Sequence, residues 1–336
     1  MKVKLILLTL MAGAAVFYCC QGASSAGDAA LASMPEAQAL GSFSADSAFS
    51  HISTQVAMGP RIAGTPTAAR CAEYISGRLA AYGADTVIKQ NARVITYTGQ
   101  TLPITNVLGR FNSGAKRRVL LLAHYDTRPW ADHENDSSLR YEPIDGANDG
   151  GSGVGVLLEI ARNLGIKPSD VGVDILFVDA EDYGTHAEEE VFGASDDENW
   201  CLGTQKWVTD MPYDPDHRPV YGILLDMVGG RDAVFHREYF SNRDASVYVD
   251  KIWAEAKALG YEDVFINKIG GNVIDDHVYV TRAGIPTVDI IENTNRQTSS
   301  FPPTWHTLSD NLENIDKNTL QRVGNTVLNV IYKEKG

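Results

Sequence analysis

Three apolar segments of this chain each run into ionisable side chains. Val119–Leu122 leads into Ala123-His124-Tyr125-Asp126, Asp174–Val178 into Asp179-Ala180-Glu181-Asp182, and Tyr221–Leu225 into Asp226. Asp149 sits in the glycine-rich run Gly146-Ala147-Asn148-Asp149-Gly150-Gly151-Ser152-Gly153, and Asp275-Asp276-His277 forms another polar cluster. His306 follows Trp305 in a loop bent by Pro302 and Pro303. Imidazoles and carboxylates gathered in one place can hold a metal ion with an open coordination position. An adjacent carboxylate can carry protons. Each feature alone has a plainer reading. Acidic residues cap strands for solubility, and a lone His in a polar loop is more often a surface residue than a ligand. Three such endings in one chain, with one His-x-Asp and one carboxylate pair, are harder to explain that way.

The glycine run admits other readings. A dinucleotide loop needs a preceding strand and G-x-G-x-x-G, but position 156 is Val156 and Pro143-Ile144-Asp145 comes before the run. A serine-hydrolase elbow needs G-x-S-x-G, but Val154 stands two places after Ser152. A plain turn with a helix cap leaves the aspartate unexplained. A metal-binding aspartate at a helix N-terminus fits: the glycines allow close approach, and the helix dipole favours the ionised carboxylate.

The elements that must position these residues alternate. Val119–Leu122, Asp174–Val178, Tyr221–Leu225 and Pro286–Ile291 are short and apolar on both sides, as strands buried in a sheet are. Thr86–Thr98 and Ile104–Phe111 read as a hairpin leading into that sheet. Helical patterns cover Thr67–Ala81, Gly153–Leu164, Asp244–Leu259 and Asp316–Lys333, the last with Asp316 as N-cap. Alternation of strand and helix predicts an α/β sandwich with a mostly parallel centre. Ligands in such sheets bind beyond the carboxyl ends of the strands, where the ionisable residues lie.

The chain has 336 residues, 44% hydrophobic and 21% charged, enough for a substantial core. Its formal net charge of -14 argues against a nucleic-acid partner, because no basic patch is present to displace counterions. The acidic stretches Glu188–Glu190 and Asp196–Glu198 read as a solvated loop. Lys2 and Lys4 precede the apolar run LILLTLMAGAAVFY, which reads as a signal peptide over residues 1–26. Cys19 or Cys20 is placed where a lipoprotein carries its acylated cysteine, and cleavage near Ala26 is the alternative. The protein is therefore expected to be exported, either periplasmic or anchored as a lipoprotein. Residues 27–41 read as a flexible tether and 42–336 as a single catalytic domain. Cys71 and Cys201 remain in the mature chain, as one disulfide or as two buried thiols. The loop Thr127–Asp145, with Trp130, Asp132 and His133, is long enough to shape the mouth of a pocket.

LLLAHYDTR, DGANDGGSGVGVLLEIAR, FVDAEDYG, LLDMVGG and TWHTLSDN occur in the order found in the zinc aminopeptidase-like family of co-catalytic metallopeptidases, and GPRIAGTPTAARCAEYI is similar to that family's opening helix. The resemblance covers nearly all of the mature chain. Within the family the chain most resembles the glutaminyl-peptide cyclotransferases, on Trp305-His306 and Val273-Ile274-Asp275-Asp276-His277. The resemblance implies a three-layer α/β/α sandwich with a mixed, centrally parallel sheet, as in zinc exopeptidases. It implies one catalytic Zn2+ on Asp149, Asp182 and His306, Glu181 as general base and acid, and Asp226 and Asp275 as a hydrogen-bonded relay. His124 and Asp226 match the second-metal ligands of the peptidases. Trp305, Trp200 and Ile274 are the expected substrate contacts, Trp200 standing for a second pocket tryptophan. Where the animal cyclases carry Glu-Glu, this chain has Glu181-Asp182, and the aspartate reaches one methylene less.

The implied activity is that of an acyltransferase: peptide or protein N-termini bearing Gln, and more slowly Glu, would close to pyroglutamate, with ammonia leaving from Gln. The alternative on the same fold is a dinuclear zinc aminopeptidase. A silent binding module is disfavoured by the complete ligand set and the retained Glu181. A monomer is expected.

Overall fold

The run Leu120-Leu121-Leu122 alternates between two faces, and all three side chains are fully buried. A strand so placed must be covered by helices on both sides. In the computed structural model, which describes residues 42–189, 196–214 and 217–336, it is. The leader and tether expected over residues 1–41, and residues 190–195 of the acidic loop, lie outside the described residues.

In chain order the elements are α1 (Ala45–Ala57), α2 (Pro66–Ala81), β1 (Thr86–Ile95), β2 (Thr101–Phe111), β3 (Arg118–His124), α3 (Gly151–Ile166), β4 (Gly172–Val178), α4 (Leu202–Thr209), β5 (Gly222–Asp226), β6 (Phe235–Arg237), α5 (Tyr239–Asp244), α6 (Ser246–Ala258), β7 (Phe265–Ile269), α7 (Asp276–Arg282), β8 (Thr287–Ile291) and α8 (Lys317–Lys333). The main sheet has the order β1-β2-β4-β3-β5-β8. β4, β3, β5 and β8 are mutually parallel, whereas β1 and β2 pair antiparallel with each other and β2 runs antiparallel to β4. The expected mixed, centrally parallel sheet is the one observed. On one face Val119, Leu121, Val173, Ile175, Ile223 and Leu225 meet a core shared with α1, α2, α3, α6 and α8. On the other, Leu120, Leu122, Leu176 and Leu224 pack with Trp207 of α4 and Val280 of α7. Burying each such side chain contributes about 1.5–3 kcal/mol, so the central strands carry much of the stability.

The sequence pattern did not show α1, α4, α5, α7 or the small parallel pair β6–β7. The helix expected over Asp244–Leu259 is α6, Ser246–Ala258; the short α5 precedes it, and the two part at Ala245, whose φ of -133° leaves the helical range. Glu238 caps α5: its buried carboxylate accepts from the N–H groups of Phe240 and Ser241 and faces His277 Nε2 at 3.1 Å. That partner lies 39 residues away and has no local signature. Cys71 and Cys201 are buried and unbonded, which selects the free-thiol alternative. Among the described residues no helix is long and apolar enough to cross a membrane.

Candidate active site

The parallel strands deliver their polar ends to one edge. His124 closes β3 and Asp226 closes β5. Beyond β4 the chain turns at Ala180, with φ of 54°, and presents Glu181 and Asp182. Asp126 fixes that turn, since its two carboxylate oxygens accept from the N–H groups of Glu181 and Asp182, each at 3.1 Å. Asp149 arrives from the other side, one residue before the α3 cap Gly150. Gly150 has φ of 75°, and a Cβ there would lie 2.6 Å from the carbonyl oxygen of Asp126. Only glycine allows this approach. Asp310 then ties the loop of His306 to the Asp149 turn by accepting from the N–H groups of Asn148 (2.7 Å) and Asp149 (3.0 Å). Cys201, Met227 and His306 also hold left-handed backbone. Such strain persists where surrounding packing over-determines it, as it does around functional sites.

Asp149, Asp182 and His306 converge with donor atoms within 4.8 Å of one another. His306 Nε2 lies 3.1 Å from Asp182 Oδ1 and 3.6 Å from Asp149 Oδ2. Tetrahedral zinc with bonds near 2.0–2.1 Å spaces its ligands by roughly 3.3 Å, so this set fits the ion. The second oxygen of Asp182 is buried without a hydrogen-bond partner, as expected of a group awaiting a cation. A second cluster shares Asp149: His124 Nε2 is 3.0 Å from Asp149 Oδ1 and 3.1 Å from Asp226 Oδ1.

The electrostatics follow from burial of many like charges. Burial pushes the Asp182 carboxyl up to about 6, with Asp149 adding to it and His306 opposing. Burial also pushes Glu181 well above the carboxylate range; His124 opposes this, and Asp275 and Asp182 add to it. Asp275 is raised well above its usual value by burial and by Asp226 and Asp276, and Asp226 is raised by burial and Asp149. Glu181 Oε1 accepts from the thiol of Cys201 at 3.2 Å, and Oε2 is 3.9 Å from His124 Nδ1. A carboxyl with a raised pKa beside a candidate metal site is suited to exchanging protons near neutral pH.

A cleft of about 260 Å³ opens onto these groups. Asp149, Glu181, Asp182, Asp226, Asp275 and His306 line it, and Trp200, Ile274 and Trp305 form apolar walls. All the residues expected for catalysis, the first metal position and substrate contact thus meet in one place. His124 is 1% exposed and lies behind the lining. The sequence reading missed Phe301, Met227 and Asn272 in the walls, and the supports Asp126, Asp310, Arg61 and Cys201. Arg61 is fully buried and donates to the carbonyls of Tyr125, Asp145 and Gly146. Asp126 and Asp310 stand inside the quoted motifs, but which backbone N–H each would accept from is not a matter of spacing.

The chain belongs to peptidase family M28, whose model matches residues 106–331. It is similar to the glutaminyl cyclase of Bacteroides thetaiotaomicron, with 47% identity, a TM-score of 0.84, and coverage of 87% of this chain and 99% of that one. A structure described as a leucine aminopeptidase precursor from the same species is similar at 46% identity, a TM-score of 0.82, and coverage of 87% and 98%. Glutaminyl-peptide cyclotransferase of Bos taurus matches at 26% identity over 306 residues, 82% of this chain and 78% of its own.

Proposed function

We propose that this protein is a glutaminyl-peptide cyclotransferase that closes the N-terminal Gln of peptides, and more slowly Glu, to pyroglutamate, with one zinc ion on Asp149, Asp182 and His306. The observation that carries the reading is the position of His306 between the rings of Trp305 and Trp200, beside Glu181, in a narrow cleft. Aromatic walls of this kind shield a short amide side chain from water and orient it by apolar contact. Similarity to glutaminyl cyclases over nearly the whole of their length supports it.

Nucleophile and electrophile belong to one substrate molecule, so ring closure has little entropy left to lose. When bound, zinc supplies Lewis acidity for the γ-amide carbonyl. Glu181 takes a proton from the α-amine as its nitrogen bonds to the side-chain carbonyl carbon, Cδ, and returns a proton to the amide nitrogen, which leaves as ammonia when its bond to Cδ breaks. The Cys201 thiol holds one oxygen of Glu181 and leaves the other for this exchange. Asp226 and Asp275 hold the leaving nitrogen, and burial raises the pKa of both, with Asp149 adding to the first and Asp226 to the second.

A second reading has a specific observation behind it. His124 with Asp149 and Asp226 has ligand spacing, as a dinuclear aminopeptidase needs, and there Glu181 would activate water. Ammonia release from a Gln-initiated dipeptide, run beside cleavage of an aminoacyl anilide, separates the two. Anilide cleavage without ammonia release would overturn the cyclase reading.

The basic start and apolar run of residues 1–26 support export, to the periplasm or to a membrane through a lipid on Cys19 or Cys20. The working form is proposed to be a monomer.

A further inference from the structure

Arg128 follows β3 by four residues and is one of the largest fully buried side chains, at 1% exposure. Its five N–H groups are all engaged. Nε and Nη2 form a fork on the carboxylate of Asp132, with Nε at 3.3 Å. Nη1 donates to the carbonyls of Asp182 and Gly184, each at 3.0 Å, and Nη2 to that of Thr185 at 2.8 Å. The same guanidinium lies over the ring of Trp200, 4.6 Å from its centroid, and faces Trp130 at 5.0 Å. Asp132, 3% exposed, has two further neighbours. It accepts from the N–H of Ala187 at 3.0 Å, and its Oδ1 is 3.3 Å from Nδ1 of His306, near but outside hydrogen-bond alignment. The next residue, His133, donates its N–H to the carbonyl of His306 at 3.1 Å.

We propose that Arg128 and Asp132 are positioning residues of the metal site, a single device that holds His306, the Asp182 turn and the Trp200 wall in register. Asp132 turns the His306 ring so that Nδ1 faces a carboxylate and Nε2 faces Asp149 and Asp182. A carboxylate on the far nitrogen fixes the tautomer and orientation of a ligating imidazole. Arg128 fixes Asp132 through its planar fork and the Asp182 turn through its carbonyl, so both ligands answer to one rigid group. Lysine has three donors on a point charge and cannot reproduce five donors and a stacking plane. The inference rests on the assignment of zinc to Asp149, Asp182 and His306, and holds for cyclase and peptidase alike.

The test measures zinc affinity by chelator competition in the wild type, Asp132→Asn, Arg128→Lys and the double variant, with the circular dichroism and melting temperature of each zinc-free protein. Asp132→Asn is expected to weaken zinc by about 10–100-fold while the zinc-free fold is retained. Arg128→Lys is expected to weaken zinc by roughly tenfold or more and to raise KM as Trp200 loses its partner. The double variant should lose less than the product of the two single losses, because the residues act together. A zinc Kd within about twofold of wild type in Asp132→Asn overturns the proposal, as do losses that multiply independently in the double variant. If Arg128→Lys does not fold, Asp132→Asn alone decides. Retention of zinc by His306→Ala would instead show that the ligand assignment is at fault.

Discussion

The ring of Trp305 lies against that of His306, with centroids 3.9 Å apart and planes 27° from parallel. Phe301 and His133 touch the same indole at 4.4 and 4.3 Å, and Trp200 lies beyond the imidazole at 6.1 Å, within 12° of parallel to it. One aromatic stack therefore includes a metal-ligand candidate and both walls of the cleft.

Trp305→Ala opens that stack without removing a ligand. Loss of the apolar contact costs about 1–2 kcal/mol, so KM for a Gln-initiated peptide should rise by roughly 5- to 30-fold, with zinc retained. Steady-state kinetics, zinc content and melting temperature on this variant check it. Unchanged kinetics with a lowered melting temperature would mean that the indole only anchors its loop.

Glu181→Gln keeps the shape of the side chain and removes its capacity to exchange protons. Zinc content and fold should be retained, while kcat falls by a factor on the order of a hundred or more. A near-native rate would assign the proton transfer to another residue.

His306→Ala should lose zinc and activity together, since its Nε2 is 3.1 Å from Asp182 Oδ1 in the cluster that fits the ion. Elemental analysis of the purified wild type should find one tightly held zinc per chain. Two tightly held ions would favour the aminopeptidase reading and place the second on His124 and Asp226.

His51 offers a pH test away from the metal site. Its ring is buried against Tyr74 and Tyr82, with Nδ1 2.6 Å from one hydroxyl and Nε2 3.0 Å from the other. Burial, with Arg78 adding to it, lowers its pKa from 6.5 to about 4. Between those values the unfolded chain binds more protons than the folded one, so stability rises with pH across the window and is lost as pH falls through it. The full effect is about 3 kcal/mol at one and a third kilocalories per unit. The melting temperature of His51→Gln should therefore depend less steeply on pH than that of the wild type between pH 4 and 6.5. Parallel slopes for the two proteins would falsify the assignment.

Much of the architecture was legible in the chain because it is written in local order. Val119–Leu122, Asp174–Val178 and Tyr221–Leu225 are apolar on both faces, so each had to lie inside a covered sheet, and parallel strands had to bring His124, Glu181, Asp182 and Asp226 to one edge. The glycines around Asp149 announced a close backbone approach, and Asp316 announced the start of α8. The tertiary structure alone decided what meets across the chain. Trp200 faces His306, Arg128 joins Asp132 to the Asp182 turn, Asp310 holds Asn148 and Asp149, and Glu238 starts α5 by facing His277. The free state of Cys71 and Cys201, and the hydrogen bond from Cys201 to Glu181, also had to wait for the fold. Periodicity reports which face of a segment avoids water. It carries no record of which distant polar atoms meet, because that depends on where loops of irregular backbone cross in space.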